Sequence, residues 1–192
     1  MISVDLSNVK ASGNGDFKRL CPTGYVCRIK KVENIDAKEY LKIYFDISEG
    51  DEAGYAAETE QSFGNWPRSC ILIRSYKQTA LGMFKGFVES VEKSNDGYQW
   101  TGDENTLAGK LFGVVLREEA YIGQDRDTGM ETEKTRLSVD YTTSIDKIRE
   151  GAFKVRDKKP LSDADIQRLT PFSDFPTAPS PYSNAGYTEV TD

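Results

Sequence analysis

Between Glu39 and Ser48 the chain alternates with a strict period of two. Leu41, Ile43, Phe45 and Ile47 form one row, and Tyr40, Lys42, Tyr44 and Asp46 form the other. Successive side chains on a strand point to opposite faces, so a strand with one face in a core and the other in solvent satisfies both rows at once. A helix would spread the four apolar residues over two opposite sides. The segment therefore predicts a β-sheet, and its neighbours extend it. Tyr25 to Val32 alternates too, with Tyr25, Cys27 and Ile29 on one face and Arg28 and Lys30 on the other. Arg68 to Tyr76 reads as a third, more buried strand around Cys70, Ile71, Leu72 and Ile73. It is reached through an acidic stretch ending at Glu60 and a loop at 62–67, where Gly64 and Pro67 interrupt regular structure.

Over Thr79 to Lys93 the period changes. Leu81, Phe84, Phe87 or Val88, and Val91 recur at helical spacing, and Ser94-Asn95-Asp96-Gly97 supplies a stop. Lys110 to Leu116 predicts a fourth strand. Thr135 to Tyr141 predicts a fifth, with Leu137, Val139 and Tyr141 opposite Arg136, Ser138 and Asp140, and a turn at 124–129 lies between the two. Three strands, one helix and two strands make an all-β to β-rich α+β chain. This is the element order of the OB-fold, a five-stranded Greek-key barrel with its helix between the third and fourth strands, although other small β-rich folds with one helix share it.

A length of 192 residues fits one domain with appendages. Residues 1–20, with Gly13, Asn14 and Gly15 among small polar neighbours, read as a disordered arm, and 21–160 as the domain. Residues 161–192 read as an acidic tail. The tail opens with a short helical signal at 162–166. From about Thr170 its Pro171, Pro176, Pro179 and Pro181 among Ser and Thr predict disorder, because such a segment buries too little surface to offset its ordering entropy. No apolar run approaches the roughly 18 residues of a membrane span, and no secretory leader is visible, which predicts a cytoplasmic protein.

The net charge of −6 argues against nucleic acid as a partner until its distribution is considered. The tail carries five acids against one base, and residues 49–60 carry five acids and no base, so these two segments hold −9 and leave +3 on the rest. Lys134 to Lys159 holds eight bases against four acids. This is the pattern of an acidic tail beside a basic working surface, and equally of solvated loops.

Catalytic chemistry finds little support. The chain has no histidine, which removes the commonest general base and excludes metal sites and triads built on imidazole. Neither Ser nor Cys has an evident activating base. Asp157-Lys158-Lys159 has the Asp-x-Lys spacing of some metal-dependent nucleases, but such triplets are common in a charged sequence. The acids of 49–60 lack the spacing and glycine of a calcium loop. Gly13-x-Gly15 precedes no strand-turn-helix. No cofactor is predicted. Cys21, Cys27 and Cys70 read as free thiols, with Cys27 and Cys70 in the core.

The outer face of the first two strands is the most suggestive constellation. Arg28 and Lys30 fall beside Tyr40, Lys42 and Tyr44, and Arg74 and Tyr76 are predicted to extend the same chemistry along the third strand. Cations neutralise phosphates and rings stack on unpaired bases, which is what single-stranded nucleic acid requires. Exposed strands carry Lys, Arg and Tyr for β propensity alone as well. Trp66, beside Pro67, reads as a cap on the core, and Trp100 as either a cap or a stacking platform. Arg136 adds a cation from the basic segment.

Taken together, Leu20-Cys21-Pro22-Thr23-Gly24-Tyr25-Val26, Glu39-Tyr40-Leu41-Lys42-Ile43, Arg74-Ser75-Tyr76, Met83-Phe84-Lys85-Gly86-Phe87, Glu92-Lys93-Ser94-Asn95, Gly109-Lys110-Leu111-Phe112-Gly113-Val114-Val115 and Ile148-Arg149-Glu150-Gly151 resemble a family of small proteins. These are single-stranded DNA-binding-like proteins encoded by phages and mobile elements of Gram-positive bacteria. The resemblance covers roughly residues 20–160 and implies an OB-fold protein of a replication or recombination module. It supplies no set of binding residues. The chain departs from the family pattern in having Arg156 after Lys154-Val155, and its tail lacks the strongly acidic, aromatic-ended tip of bacterial single-strand binding proteins. The expectation is a non-enzymatic binder of single-stranded DNA, with replication or recombination proteins as partners of the acidic tail. An interaction or scaffold module of phage machinery is the alternative, and a metal-dependent nuclease a third.

Overall fold

The computed structural model of the chain describes residues 18–169. Five antiparallel strands form one sheet: β1 (Gly24–Ile35), β2 (Tyr40–Ile47), β3 (Ile71–Ser75), β4 (Leu111–Gln124) and β5 (Glu131–Thr143). Their spatial order is β3-β2-β1-β4-β5, which makes an open sheet with β3 and β5 at its edges. Four α-helices accompany the sheet among the described residues: α1 (Tyr55–Phe63), α2 (Leu81–Glu92), α3 (Ile145–Arg149) and α4 (Asp163–Leu169). The fold is β-rich α+β, with five strands and α2 between the third and fourth of them, as the periodicity predicts. The ladder between β3 and β5 that barrel closure requires is not present among the described residues.

The core lies between the sheet and α2. Leu41, Ile43, Phe45 and Ile47 are at most 3% exposed, and they meet Phe84, Phe87, Val88 and Val91 from the apolar side of α2. Phe112 stands edge-on to both Phe45, at 5.5 Å, and Phe87, at 5.7 Å. Burying each such side chain contributes about 1.5–3 kcal/mol. Asn95 fastens the end of α2 to β4: its amide nitrogen donates to Val91 O and Leu111 O, and its oxygen accepts from Leu111 N. Cys27 and Cys70 are free and fully buried. Burial pushes the Cys70 thiol up to about 12 and that of Cys27 well above its ordinary value.

Three expectations from periodicity are corrected. The segment read as an acidic stretch and loop contains α1. Gly64 in the left-handed region closes this helix, with its N–H donating to Glu60 O at 2.7 Å. Asp46, predicted to face solvent, is 2% exposed, because α1 folds over it and its Oδ1 accepts from Ala56 N at 2.8 Å in the helix's first turn. β4 runs eight residues past Leu116, to Gln124. Its charged continuation carries no apolar run, and what holds it is cross-strand pairing with Glu131–Ser138.

After β5, α3 seats Ile148 against the backbone of β1 and β4. A Cβ on Gly113 would lie 2.6 Å from Ile148 Cγ1, and one on Gly24 would lie 2.8 Å from Ile148 Cδ1. The chain then returns along β4, where Lys159 N donates to Glu118 O and Ala120 N to Lys159 O. The short helix predicted near 162–166 is α4. The disorder predicted from about Thr170 lies outside the described residues, as does most of the arm. Of that arm, Lys18 reaches Glu58 at 3.2 Å and Leu20 packs against the core.

Candidate nucleic-acid interface

A β-bulge in β1 organises the outer face. Ile29 pairs with Phe45 and Lys31 with Tyr44, so Lys30 is the extra residue and bulges out, exposed. The alternation of β1 shifts by one at this point. Lys31, not Lys30, is the cation opposite Tyr44, followed by Glu33 opposite Lys42. From the other side β3 sets Ile71 against Tyr44, Ile73 against Lys42 and Ser75 against Tyr40. Ile73 is 54% exposed, so an apolar side chain stands in solvent beside Lys42.

Tyr44 is the hub of this face. Lys42 Nζ lies 4.8 Å from its ring centroid and Lys31 Nζ 5.7 Å, while the Trp66 ring meets it edge-on at 6.3 Å. Trp66 is held in turn by its indole N–H donating to Cys70 O. The Tyr44 hydroxyl donates to Glu33, whose carboxylate also takes the Lys31 ammonium at 2.6 Å. Lys31 first and the Tyr44 hydroxyl second hold the Glu33 carboxyl below its ordinary range. Glu33 holds the Lys31 ammonium above its own, and the adjoining Tyr44 side chain does the same for Lys42. Arg28, also exposed, directs Nη1 to Gly109 O at 2.9 Å. Tyr40 is half-buried between Ile35 and Ser75.

Four of the predicted site residues lie elsewhere. Arg74 pairs with Leu41, not Lys42, and therefore belongs to the inward row. It is 7% exposed, donates Nη1 to Ile73 O, and has no hydrogen-bond partner for Nε among the described residues. Burial lowers its pKa to about 10. Tyr76, two residues on, shares that side: its hydroxyl donates toward Asn34 and Asp36, and its ring meets Phe84 edge-on. Trp100 packs 5.1 Å from Phe84 and receives the Glu92 carboxylate on its backbone N–H, as a cap on the core. Arg136 stands on β5 at the far side of the sheet, where it chelates Glu119 Oε2 and lies 4.8 Å from the Tyr121 ring.

The basic stretch of 134–159 is largely neutralised within the fold. Glu119 takes Arg136 and Lys159, Glu133 takes Lys158, and Glu49 takes Arg149. The buried Asp140 draws in Arg117 at 3.1 Å and Arg156 at 3.4 Å, although the Arg117 N–H points off the hydrogen-bond line, so that contact is one of charge alone. Of the Asp157-Lys158-Lys159 triplet, both lysines are in these pairs. Trp66 packs against the core, as its reading as a cap expects, while also meeting Tyr44; sequence reasoning missed Lys31, Glu33 and Ile73. Only the adjacency of Lys30 and Lys31 signals that the alternation of β1 breaks. The chain matches no protein-family model, and no curated protein matches it.

Proposed function

We propose that the protein is a non-enzymatic binder of single-stranded DNA, without strong sequence preference, acting through the outer face of β1, β2 and β3. The observation that carries this reading is the Tyr44 ring, with the Lys31 and Lys42 ammonium groups on it and Trp66 at its edge. Arg28, Lys30, Lys31 and Lys42 set four cations against Glu33 and the buried Asp46 where phosphates would run. Tyr40, Tyr44 and Trp66 offer rings to bases. A base stacking on Tyr44 moves an ammonium off the ring onto a phosphate. That exchange is favourable, since an exposed cation–π contact is worth about 0.5–1 kcal/mol and a stacked base about 1–3 kcal/mol.

The topology supports the same reading. The spatial order β4-β1-β2-β3 matches the 4-1-2-3 strand order of a Greek key, which supports the reading, and α2 spans the step from β3 to β4. We read the fold as OB-like with an incompletely closed barrel, and in that fold the outer surface of strands 2 and 3 receives oligonucleotides. The family resemblance adds a setting, the replication or recombination module of a mobile element in a bacterial cytoplasm.

The test is a titration of the full chain with oligothymidine, following tryptophan fluorescence and anisotropy across salt concentrations. The expected result is binding that quenches or shifts Trp66 emission and weakens steeply with salt. No affinity at micromolar protein and low salt would overturn the proposal, and magnesium-dependent shortening of labelled DNA would favour the nuclease reading.

A further inference from the structure

We infer that a bound strand continues from the outer face into a second, arginine-lined groove between β5 and the turn that precedes β3; this rests on the single-stranded DNA reading above. The groove has a volume of about 490 Å³ and is lined by Arg19, Arg68, Arg136, Tyr55, Tyr121 and Leu137, among others, with no Asp or Glu in its described lining. Its three arginines differ in state. Arg136 is fixed by the two-pronged contact to Glu119 and by the Tyr121 ring, so its charge is already compensated. Arg19 and Arg68 are exposed and have no ion-pair partner among the described residues. Two unpaired guanidinium groups in a groove also lined by Tyr55, Tyr121, Leu20 and Leu137 supply what a phosphate chain with unpaired bases takes up, and Arg is the side chain best shaped for phosphate.

The route between the two surfaces is one short piece of backbone. Trp66 meets Tyr44 on the outer face, while Pro67 and Arg68 line the groove. Pro67 is extended, with φ −65° and ψ 134°. Two peptide steps span at most about 7 Å, so the backbone of Trp66, whose ring meets Tyr44, lies within that distance of the backbone of Arg68 in the groove. In this arrangement the outer face holds the first nucleotides, and the groove adds phosphate contacts that only a longer strand can reach.

The experiment compares the full chain with the R19A/R68A and K42A/Y44A double variants on oligothymidines of about 4 and about 15 nucleotides, lengths near the ends of the range one such domain covers. For R19A/R68A the magnitude of the salt slope on the longer strand is expected to fall by about 1.4, two single-strand phosphate contacts, with affinity for the shorter strand held within about twofold. R19K/R68K should restore the slope, which a folding defect would not allow. An unchanged slope in R19A/R68A, together with lost binding in K42A/Y44A, overturns the groove and leaves the outer-face reading standing. Equal losses on both lengths also overturn it, since the arginines would then belong to the primary contact. Absence of binding by the unmodified chain removes the underlying reading and this inference with it.

Discussion

The Tyr44 hydroxyl donates to the Glu33 carboxylate at 3.0 Å. This bond ties an acid into the centre of a basic face and gives Glu33 two opposed effects on a polyanion: it orients the ring, and it repels phosphate. Replacing it with Gln keeps a hydrogen-bond acceptor for the hydroxyl and removes the charge. E33Q is expected to bind oligothymidine about 2- to 5-fold more tightly at low salt, the scale of one exposed charge interaction, with the gain vanishing as salt rises. Anisotropy titrations decide it. Weaker binding would mean that the charge on Glu33, through Lys31, is needed to hold the face together.

The ring itself should matter more than its hydroxyl. Y44A removes a stacking surface worth about 1–3 kcal/mol, a loss of about 5- to 150-fold in affinity. Y44F retains the surface and leaves Glu33 to Lys31 alone, and should stay within about threefold of the unmodified chain, because the lost, half-buried hydrogen bond contributes about 0.5–1.5 kcal/mol in the free and bound states alike. Similar, small effects of both substitutions would remove stacking at Tyr44 from the account.

What was legible in the sequence divides along one physical line. Alternation and helical spacing report burial, and they located β2, β3, α2 and the core because those elements owe their stability to apolar packing. Two elements held by polar contacts left no such trace. α1 begins over the buried carboxylate of Asp46, and the far half of the β4–β5 hairpin is held by pairs such as Glu119 with Arg136. The outer face was found in outline from Tyr40, Lys42 and Tyr44. Its details were missed for a local reason, since one bulged residue at Lys30 re-registers β1 and brings Lys31 and Glu33 to Tyr44. The charge of Arg74 reads as a sign of exposure, but its register with Leu41 puts it inward.

That inward position makes Arg74 a test of the face assignment. A buried guanidinium with an unpartnered Nε carries a desolvation cost, and an apolar side chain of similar length removes it. R74M is expected to raise stability by about 1–3 kcal/mol, in line with apolar replacement of buried charge, and to leave oligothymidine affinity unchanged. Urea unfolding and anisotropy on the same preparation read both quantities. A stable R74M that no longer bound DNA would place binding on the α2 side of the sheet.

Gly113 is needed for close approach. The Cβ of an alanine there would meet Ile148 Cγ1 at 2.6 Å and the carbonyl oxygens of Thr143 and Ser144 at 2.9 Å. The side chain can shift but the carbonyls cannot without disturbing the end of β5, so G113A should cost about 2–3 kcal/mol, at the upper end of overpacking. Trimming the neighbour in G113A/I148A should recover only part of this beyond the cost of I148A alone. A full recovery in the double-mutant cycle would show that the backbone contacts are harmless.

The return of the chain along β4 is secured by Glu119, which accepts from Arg136 on one side and from Lys159, at 2.7 Å, on the other. Burial acts to raise its pKa, but the hydrogen bonds from Lys159 and Arg136 outweigh burial and hold the carboxyl below its ordinary value. A folded-state pKa below the unfolded value of about 4.3 means that the unfolded chain binds the proton more readily. The stabilisation is therefore complete above that pH and is lost as pH falls through the folded pKa. E119Q cannot titrate. It should be less stable than the unmodified chain at neutral pH, lose less stability on acidification, and converge with it below the folded pKa. Urea midpoints measured from neutral pH into the acid range test this, and two parallel profiles would show that the ion pairs around Glu119 do not anchor the 152–161 segment.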